Sequence, residues 1–212
     1  MQIHQIVPPA FLQKLMPRDT YCFGPAPAQN KTIYLTFDDG PVAGVTDEIT
    51  AMLKAYQSKA TFFCVGENAN NQPKLIDLLV NEGHLLANHT YNHLNGWKTP
   101  TDSYLENIVK CSQLINSKLF RPPYGRITRA QWKAVVMKYK VVLWSVLSGD
   151  YNNKLSPDDC ARQVIGNIRP GSIVVFHDSQ KASKNVLKAL PMVLEYLSEK
   201  EFNCLTLNSL NN

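Results

Sequence analysis

The chain has 212 residues, 44% apolar and 18% charged, with a formal net charge of +5. That length fits one domain with a substantial core, and the composition excludes disorder, collagen and coiled coil. No stretch reaches the roughly 20 apolar residues needed to cross a bilayer. The dispersed lysines and arginines form no run that would track phosphates, so no nucleic-acid partner is expected. The mild positive charge speaks first to solubility, and peripheral association with a membrane has no support of its own. Met1–Arg18 is broken by Pro8, Pro9 and Pro17 and lacks an apolar run behind a basic start. This argues against a secretory signal and favours the cytoplasm, although a leader removed beforehand would leave the same sequence for a periplasmic or secreted protein. Cys22, Cys64, Cys111, Cys160 and Cys204 are scattered and odd in number. They are expected to be reduced and mostly buried.

Short apolar runs then alternate with helical patterns. Thr32–Phe37 reads as a strand, and Thr46–Gln57 as a helix with Val45, Ile49, Met52, Leu53 and Tyr56 on one face. Ala60–Val65 is the next strand, and Pro73–Glu82 a helix opened by proline and closed by Gly83. His84–Asn88 is a weaker strand. Asp102–Lys118 carries an apolar face of Leu105, Ile108, Val109 and Ile115, interrupted by Ser112. A short strand ends near Arg121, and Thr128–Tyr139 is helical through Trp132, Val135, Val136 and Tyr139. Val141–Val146 reads as one strand covered on both faces. Ser156, Pro157, Asp158 and Asp159 have the order of an N-cap, a first-turn proline and early acids. Ser172–Phe176 is a strand, Ser183–Lys200 a helix expected to kink at Pro191, and Asn203–Leu207 a last strand. Seven strands with helices between them imply a parallel α/β architecture, and periodicity leaves open sheet and barrel undecided.

The chemistry-bearing residues fall at the carboxyl ends of these strands. Asp38 and Asp39 end the first, His89 the third, Arg121 the fourth and His177 the sixth, with Asp150 just beyond the fifth. In parallel α/β folds that edge is where ligands bind. Asp38 and Asp39 would point to opposite faces of a regular strand. Gly40 and Pro41 break the strand, so both can turn toward one site, where two carboxylates favour a nearby cation. An Asp-Gly turn that merely ends a strand is the bland alternative. His89 and His93 stand four residues apart and share a face on one helical turn, a spacing also found in ordinary surface pairs. With Asp39 they make two nitrogens and one oxygen, a three-ligand site with open positions. His4 and His84 have no such company and are expected to be structural or at the surface. Pro122 and Pro123 stiffen the exit after Arg121 and hold the Tyr124 amide in one direction, which suits an oxyanion donor, with a plain proline-rich loop and a surface arginine as the bland alternative. His177, at the end of an apolar strand on the same rim, suits a general acid or base.

In order, TFDDGP, HxxxH, RPPYG and an apolar strand ending in histidine make the chain resemble the polysaccharide deacetylases, the NodB-homology domain of carbohydrate esterase family 4. The resemblance spans Lys31 to the carboxyl terminus. Residues 1–30 lie outside the motifs and, by their proline-rich, partly aromatic make-up, read as an extension packed on the domain, while the resemblance implies a distorted (β/α)7-type barrel of parallel strands over residues 31–212. It also implies a divalent metal, zinc first and cobalt, nickel or manganese as substitutes, on Asp39, His89 and His93. Asp38 would be the base, Arg121 its partner, and the Tyr124 amide an oxyanion donor. His177 would be the acid tuned by Asp150, with Val175 and Trp144 lining the place of the acetyl group. Leu147 stands where many relatives carry a second acid, and Tyr151 where tryptophan is frequent, which bears on groove shape more than on catalysis. The brief loops after the strands predict a shallow, open groove.

The implied reaction is hydrolysis of the N-acetyl group of an amino-sugar polymer or oligomer such as peptidoglycan or a chitin-like chain. An O-acetyl ester hydrolase and a deformylase of a lipid-linked sugar are alternatives on the same scaffold. A catalytically dead carbohydrate-binding module is a third, opposed by the intact set of charged residues.

Overall fold

The computed structural model describes residues 20–24 and 31–211. Among these, nine short strands alternate with eight α-helices: β1 (Thr20–Tyr21), β2 (Thr32–Asp38), α1 (Thr46–Ala55), β3 (Ala60–Cys64), α2 (Gly66–Asn71), α3 (Pro73–Asn81), β4 (Leu85–Asn88), α4 (Thr101–Ser112), β5 (Leu119–Phe120), α5 (Arg129–Val135), β6 (Lys140–Val142), β7 (Val146–Leu147), α6 (Pro157–Ile165), β8 (Ile173–His177), α7 (Ser183–Glu199), β9 (Asn203–Cys204) and α8 (Asn208–Asn211). The strands run parallel in the order β1-β6-β5-β4-β3-β2-β8-β7, with β9 beside β2. The expected parallel barrel is therefore present, curled and open between its edge strands β1 and β7. Of the expected amino-terminal extension, residues 1–19 and 25–30 lie outside the described residues, as does His4.

Alternation along β2 decides what faces the site. All seven of its residues are buried, as a central strand covered on both faces requires. Ile33, Leu35 and Phe37 point to the helix layer, packing with Ile49 and Leu53 of α1 and Val186, Leu190 and Val193 of α7. Phe37 stacks on Phe62 of β3 and Phe176 of β8, with ring centroids 4.9 and 6.0 Å away. These are its direct neighbours in register, so the three rings pin the central strands against slippage. Tyr34 packs on the opposite side with Phe63, Ala87, Leu119, Val142 and Ile173. Thr36 and Asp38 share that inner face by the two-residue period.

Three expectations need correction. Val141–Val146 is not one strand. The chain leaves β6 after Val142 and rejoins the sheet at β7 against β8, so the apolar run spans the gap in the barrel. The Leu143 N–H donates to the Tyr21 carbonyl of β1 at 2.8 Å, and the buried Arg121 supplies two further hydrogen bonds there. Its Nε donates to the Val142 carbonyl at 3.1 Å and Nη2 to the Leu143 carbonyl at 2.9 Å. Helix α4 is rolled relative to expectation: it buries Tyr104, Ile108 and Cys111 and leaves Val109 exposed, because a tyrosine ring and a thiol complete the apolar stripe. The last strand stops at Cys204. Leu207 and Leu210 turn in beneath the barrel, where they join Tyr34, Phe63 and Ile173 in one apolar cluster. Helix α7 continues through Pro191, and Gly66–Asn71 adds a short helix that the sequence pattern did not suggest. The capping box at Ser156 and Asp159 forms as expected. All five cysteines are buried thiols outside any disulfide.

Candidate active site

Asp38 is the last residue of β2 and lies opposite Phe63 and His177 in the neighbouring strands. Asp39 would face the helix layer if the strand continued. Its backbone instead turns to a positive φ of 83°, and Asn68 of α2 holds the turned peptide by donating to the Asp39 carbonyl at 2.8 Å. Thr90, His93 and Tyr124 also have positive φ without being glycine. Such residues cost of order 1–3 kcal/mol each and persist only where the surroundings over-determine them. Their gathering in the segments that bear Asp39, His89 and Arg121 marks this rim as the functional part of the fold.

Three side chains meet at its centre. The Asp39 carboxylate lies 3.0 Å from His93 Nε2 and 3.7 Å from His89 Nε2. One ligand atom from each of Asp39, His89 and His93 falls within 4.8 Å of the others. His89 Nδ1 lies 2.8 Å from the Arg121 carbonyl, an oxygen that can only accept, so Nδ1 carries a proton and Nε2 is the ring nitrogen turned to Asp39. Two imidazole nitrogens and a carboxylate oxygen converging on one point form a donor set suited to a divalent cation with N and O ligands. Burial opposes the charged form of Asp39, but hydrogen bonds to both histidines outweigh it and hold the carboxyl well below its usual range. The Asp39 and His93 side chains are about a quarter exposed, so the site opens to solvent.

Two carboxylate–cation pairs share the rim. Arg121 is fully buried and donates from Nη1 to Asp38 at 2.6 Å and to the Thr36 hydroxyl at 2.8 Å. With the carbonyls of Val142 and Leu143 this occupies four of its five donors, and the guanidinium also lies over the Phe63 ring. Burial lowers the Arg121 pKa from its ordinary value, and the Asp38 charge opposes that shift. Asp150, also fully buried, bonds His177 twice: Oδ1 lies 2.7 Å from Nδ1, and Oδ2 accepts from the His177 backbone N–H at 2.7 Å. Burial presses the His177 pKa down, but the Asp150 charge and hydrogen bond win and raise it to about 9. Asn185 of α7 fixes the Asp150 backbone by donating to its carbonyl.

The remaining predicted residues lie around these groups. Tyr124 is 60% exposed on the stiff loop after β5, with its ring 4.7 Å from that of His93. The N–H groups of Gly125 and Arg126 close the turn, leaving that of Tyr124 outside the closure. Trp144 is half-buried and packs so closely on Gly125 that a Cβ there would meet its ring at 2.8 Å. Val175 is buried in β8 between Thr36 and Leu147. His84, outside the site, accepts from Ala60 N–H at 3.2 Å, and burial lowers its pKa to about 4, in line with a structural role.

Sequence reasoning missed Asp178. Its buried carboxylate accepts from Gly40 N–H at 3.0 Å and from the Thr46 hydroxyl at 2.7 Å, tying the turn after Asp39 to α1. The signal was an acid directly after His177 at the end of an apolar strand, which puts it on the opposite face from the histidine. Tyr151, whose ring stands edge-on to His177 at 5.1 Å, was read only for groove shape.

The family model described as polysaccharide deacetylase matches residues 26–142. A peptidoglycan-N-acetylglucosamine deacetylase of Bacillus cereus is 36% identical over 198 residues, spanning 90% of this chain and 71% of that protein. The crystal structure of a peptidoglycan N-acetylglucosamine deacetylase in complex with 4-naphthalen-1-yl-N-oxidanyl-benzamide has a TM-score of 0.86 at 33% identity, covering 96% of each chain. A family 4 carbohydrate esterase from Streptomyces lividans in complex with acetate has a TM-score of 0.73 at 31% identity, covering 87% of this chain and 93% of the other.

Proposed function

Since this chain belongs to the polysaccharide deacetylase family, we propose that it hydrolyses the N-acetyl amide of an amino-sugar polymer, peptidoglycan or a chitin-like chain, releasing acetate and leaving a free amine. The observation that supports this most is the meeting of Asp39, His89 and His93 within 4.8 Å, beside one base-like and one acid-like pair. These three residues would hold a divalent metal, zinc in our reading, which when bound supplies Lewis acidity that polarises the amide carbonyl and makes water more acidic.

The other residues divide the proton work. Asp38 accepts a proton from the attacking water, with Arg121 holding the carboxylate in place at 2.6 Å. The Tyr124 N–H, on a loop stiffened by Pro122 and Pro123, donates to the oxygen that becomes negative. His177 has Nδ1 engaged by Asp150, so Nε2–H is the proton given to the leaving nitrogen. That last group favours an amide over an O-acetyl ester, because an amine leaves only when protonated and an alkoxide depends on this less.

The test is acetate release from N-acetylglucosamine oligomers and from peptidoglycan, before and after chelation and after adding zinc. Zinc-restored release that drops by about 10³-fold in Asp38→Asn, within the range of a lost general base, is expected. No release from either substrate at full zinc occupancy would sink the N-deacetylase reading in favour of an ester. A chain that binds no zinc would sink the metal site.

A further inference from the structure

Beyond the triad, the rim carries an exposed aromatic strip that the proposed chemistry does not use. Trp97 is 65% exposed and Tyr124 60% exposed. A lone exposed apolar side chain needs no explanation, but these two are joined by one group. The Arg126 guanidinium lies 5.1 Å from the Trp97 ring and 5.9 Å from the Tyr124 ring, both within cation–π range. No ion pair involves Arg126 among the described residues. Through Tyr124, whose ring is 4.7 Å from that of His93, the strip runs continuously from the triad outward.

The outer end is built to stay put. The Trp97 indole N–H donates to the Ile127 carbonyl at 3.2 Å, and its backbone N–H donates to the Asn95 side chain at 3.1 Å. Gln131, buried in α5, donates to the carbonyls of Gly96 and Thr99 at 2.9 and 3.0 Å. Gly96 lies so close to the Arg126 segment that a Cβ there would come within 2.5 Å of the Arg126 carbonyl. A tryptophan held in water by its own indole N–H, braced by Arg126 and still largely exposed, is preorganised for a flat apolar ligand.

We propose that Trp97 and Arg126 form a sugar subsite, in which Trp97 stacks on the apolar face of a pyranose unit further along the polymer than the unit whose acetamido group lies at the triad. Arg126 braces the ring and turns its free N–H groups to the hydroxyls or carboxylate of that unit. The subsite rests on the carbohydrate-deacetylase reading, and it makes the enzyme prefer chains that reach from Asp39 past Tyr124 to Trp97.

The test compares N-acetylglucosamine hexamer with dimer as substrates for the zinc-loaded full chain. In Trp97→Ala the hexamer-over-dimer ratio of kcat/KM falls about tenfold, the size of one well-placed contact, and the fall lies in KM. Trp97→Leu keeps apolar bulk without a flat ring and shows the same fall, whereas Trp97→Phe recovers most of the ratio. A ratio unchanged in Trp97→Ala and Trp97→Leu overturns the subsite, as does a fall that Trp97→Phe does not recover. If the wild-type chain releases acetate from neither oligomer, the deacetylase reading fails by itself. Hexamer binding by calorimetry then decides the subsite: binding weakened in Trp97→Leu upholds it, and equal or absent binding overturns it.

Discussion

The two carboxylate–cation pairs on the rim look alike in contact geometry and differ in what their cations can do. Asp38 bonds Arg121 at 2.6 Å and Asp150 bonds His177 at 2.7 Å, and three of these four residues are almost wholly buried. A guanidinium does not release its proton in a protein, so in the first pair only the carboxylate can take part in proton transfer. An imidazolium can release its proton, so in the second pair the cation is the active member and the carboxylate only directs it. One structural device, a buried acid clamped to a base, thus yields opposite roles according to whether the clamp is arginine or histidine.

Removing the clamp from the first pair is expected to have the largest effect. Arg121→Met strands Asp38 as a buried charge and also leaves the carbonyls of Val142 and Leu143 without their donor at the open side of the barrel. Loss of one partner of a buried pair costs about 3–5 kcal/mol, which urea unfolding would read directly. A loss below about 1 kcal/mol would mean that water replaces the guanidinium easily and that the barrel gap closes without it.

The second pair predicts a pH effect instead. His177 has its pKa raised to about 9 by Asp150, so activity that needs its proton should fall as pH rises through that region. A cation bound at the triad cancels part of the help from Asp39, so the alkaline limb of the zinc enzyme should lie somewhat below that value. Asp150→Asn removes the main cause and should move the limb down toward the ordinary histidine value of about 6.5, with roughly tenfold less activity at pH 8. The stability linkage has the same sign. A histidine with a raised folded-state pKa contributes stability that is complete below its unfolded value and is lost as pH climbs through the folded one. An alkaline limb unmoved in Asp150→Asn would show that His177 is not the group titrating.

Much of this site was legible because its residues sit at strand ends, where an apolar run stops on a charged side chain whatever the exact boundaries. Asp38, His89, Arg121 and His177 all announce themselves that way. What periodicity could not carry was anything decided by a distant partner. The break inside Val141–Val146 depends on a guanidinium more than 20 residues earlier in the chain, and an uninterrupted apolar run gives no local sign of it. The roll of α4 depends on a tyrosine and a cysteine acting as apolar. Leu207 reads as the end of a strand until the hollow beneath the barrel that it fills with Leu210 is known.

Asp178 sharpens the contrast between the pairs, since it is a buried carboxylate on the same rim with no cation at all. Its partners are neutral, the Gly40 N–H and the Thr46 hydroxyl, and burial raises its pKa to about 7. Asparagine can replace it with little loss, its carbonyl taking the Gly40 N–H and its amide donating to Thr46. Between the unfolded carboxylate value near 4 and about 7, the folded wild type binds more protons than the unfolded chain, so it loses stability as pH rises. Asp178→Asn lacks that titration. Its melting temperature in the metal-free chain should therefore gain on the wild type from pH 4 to pH 8, by about 2–4 °C for each kcal/mol removed. A difference between the two chains that stays constant with pH would mean Asp178 is ionised throughout, stabilised by its two donors alone, and the need for a cation beside a buried acid on this rim would lose its force.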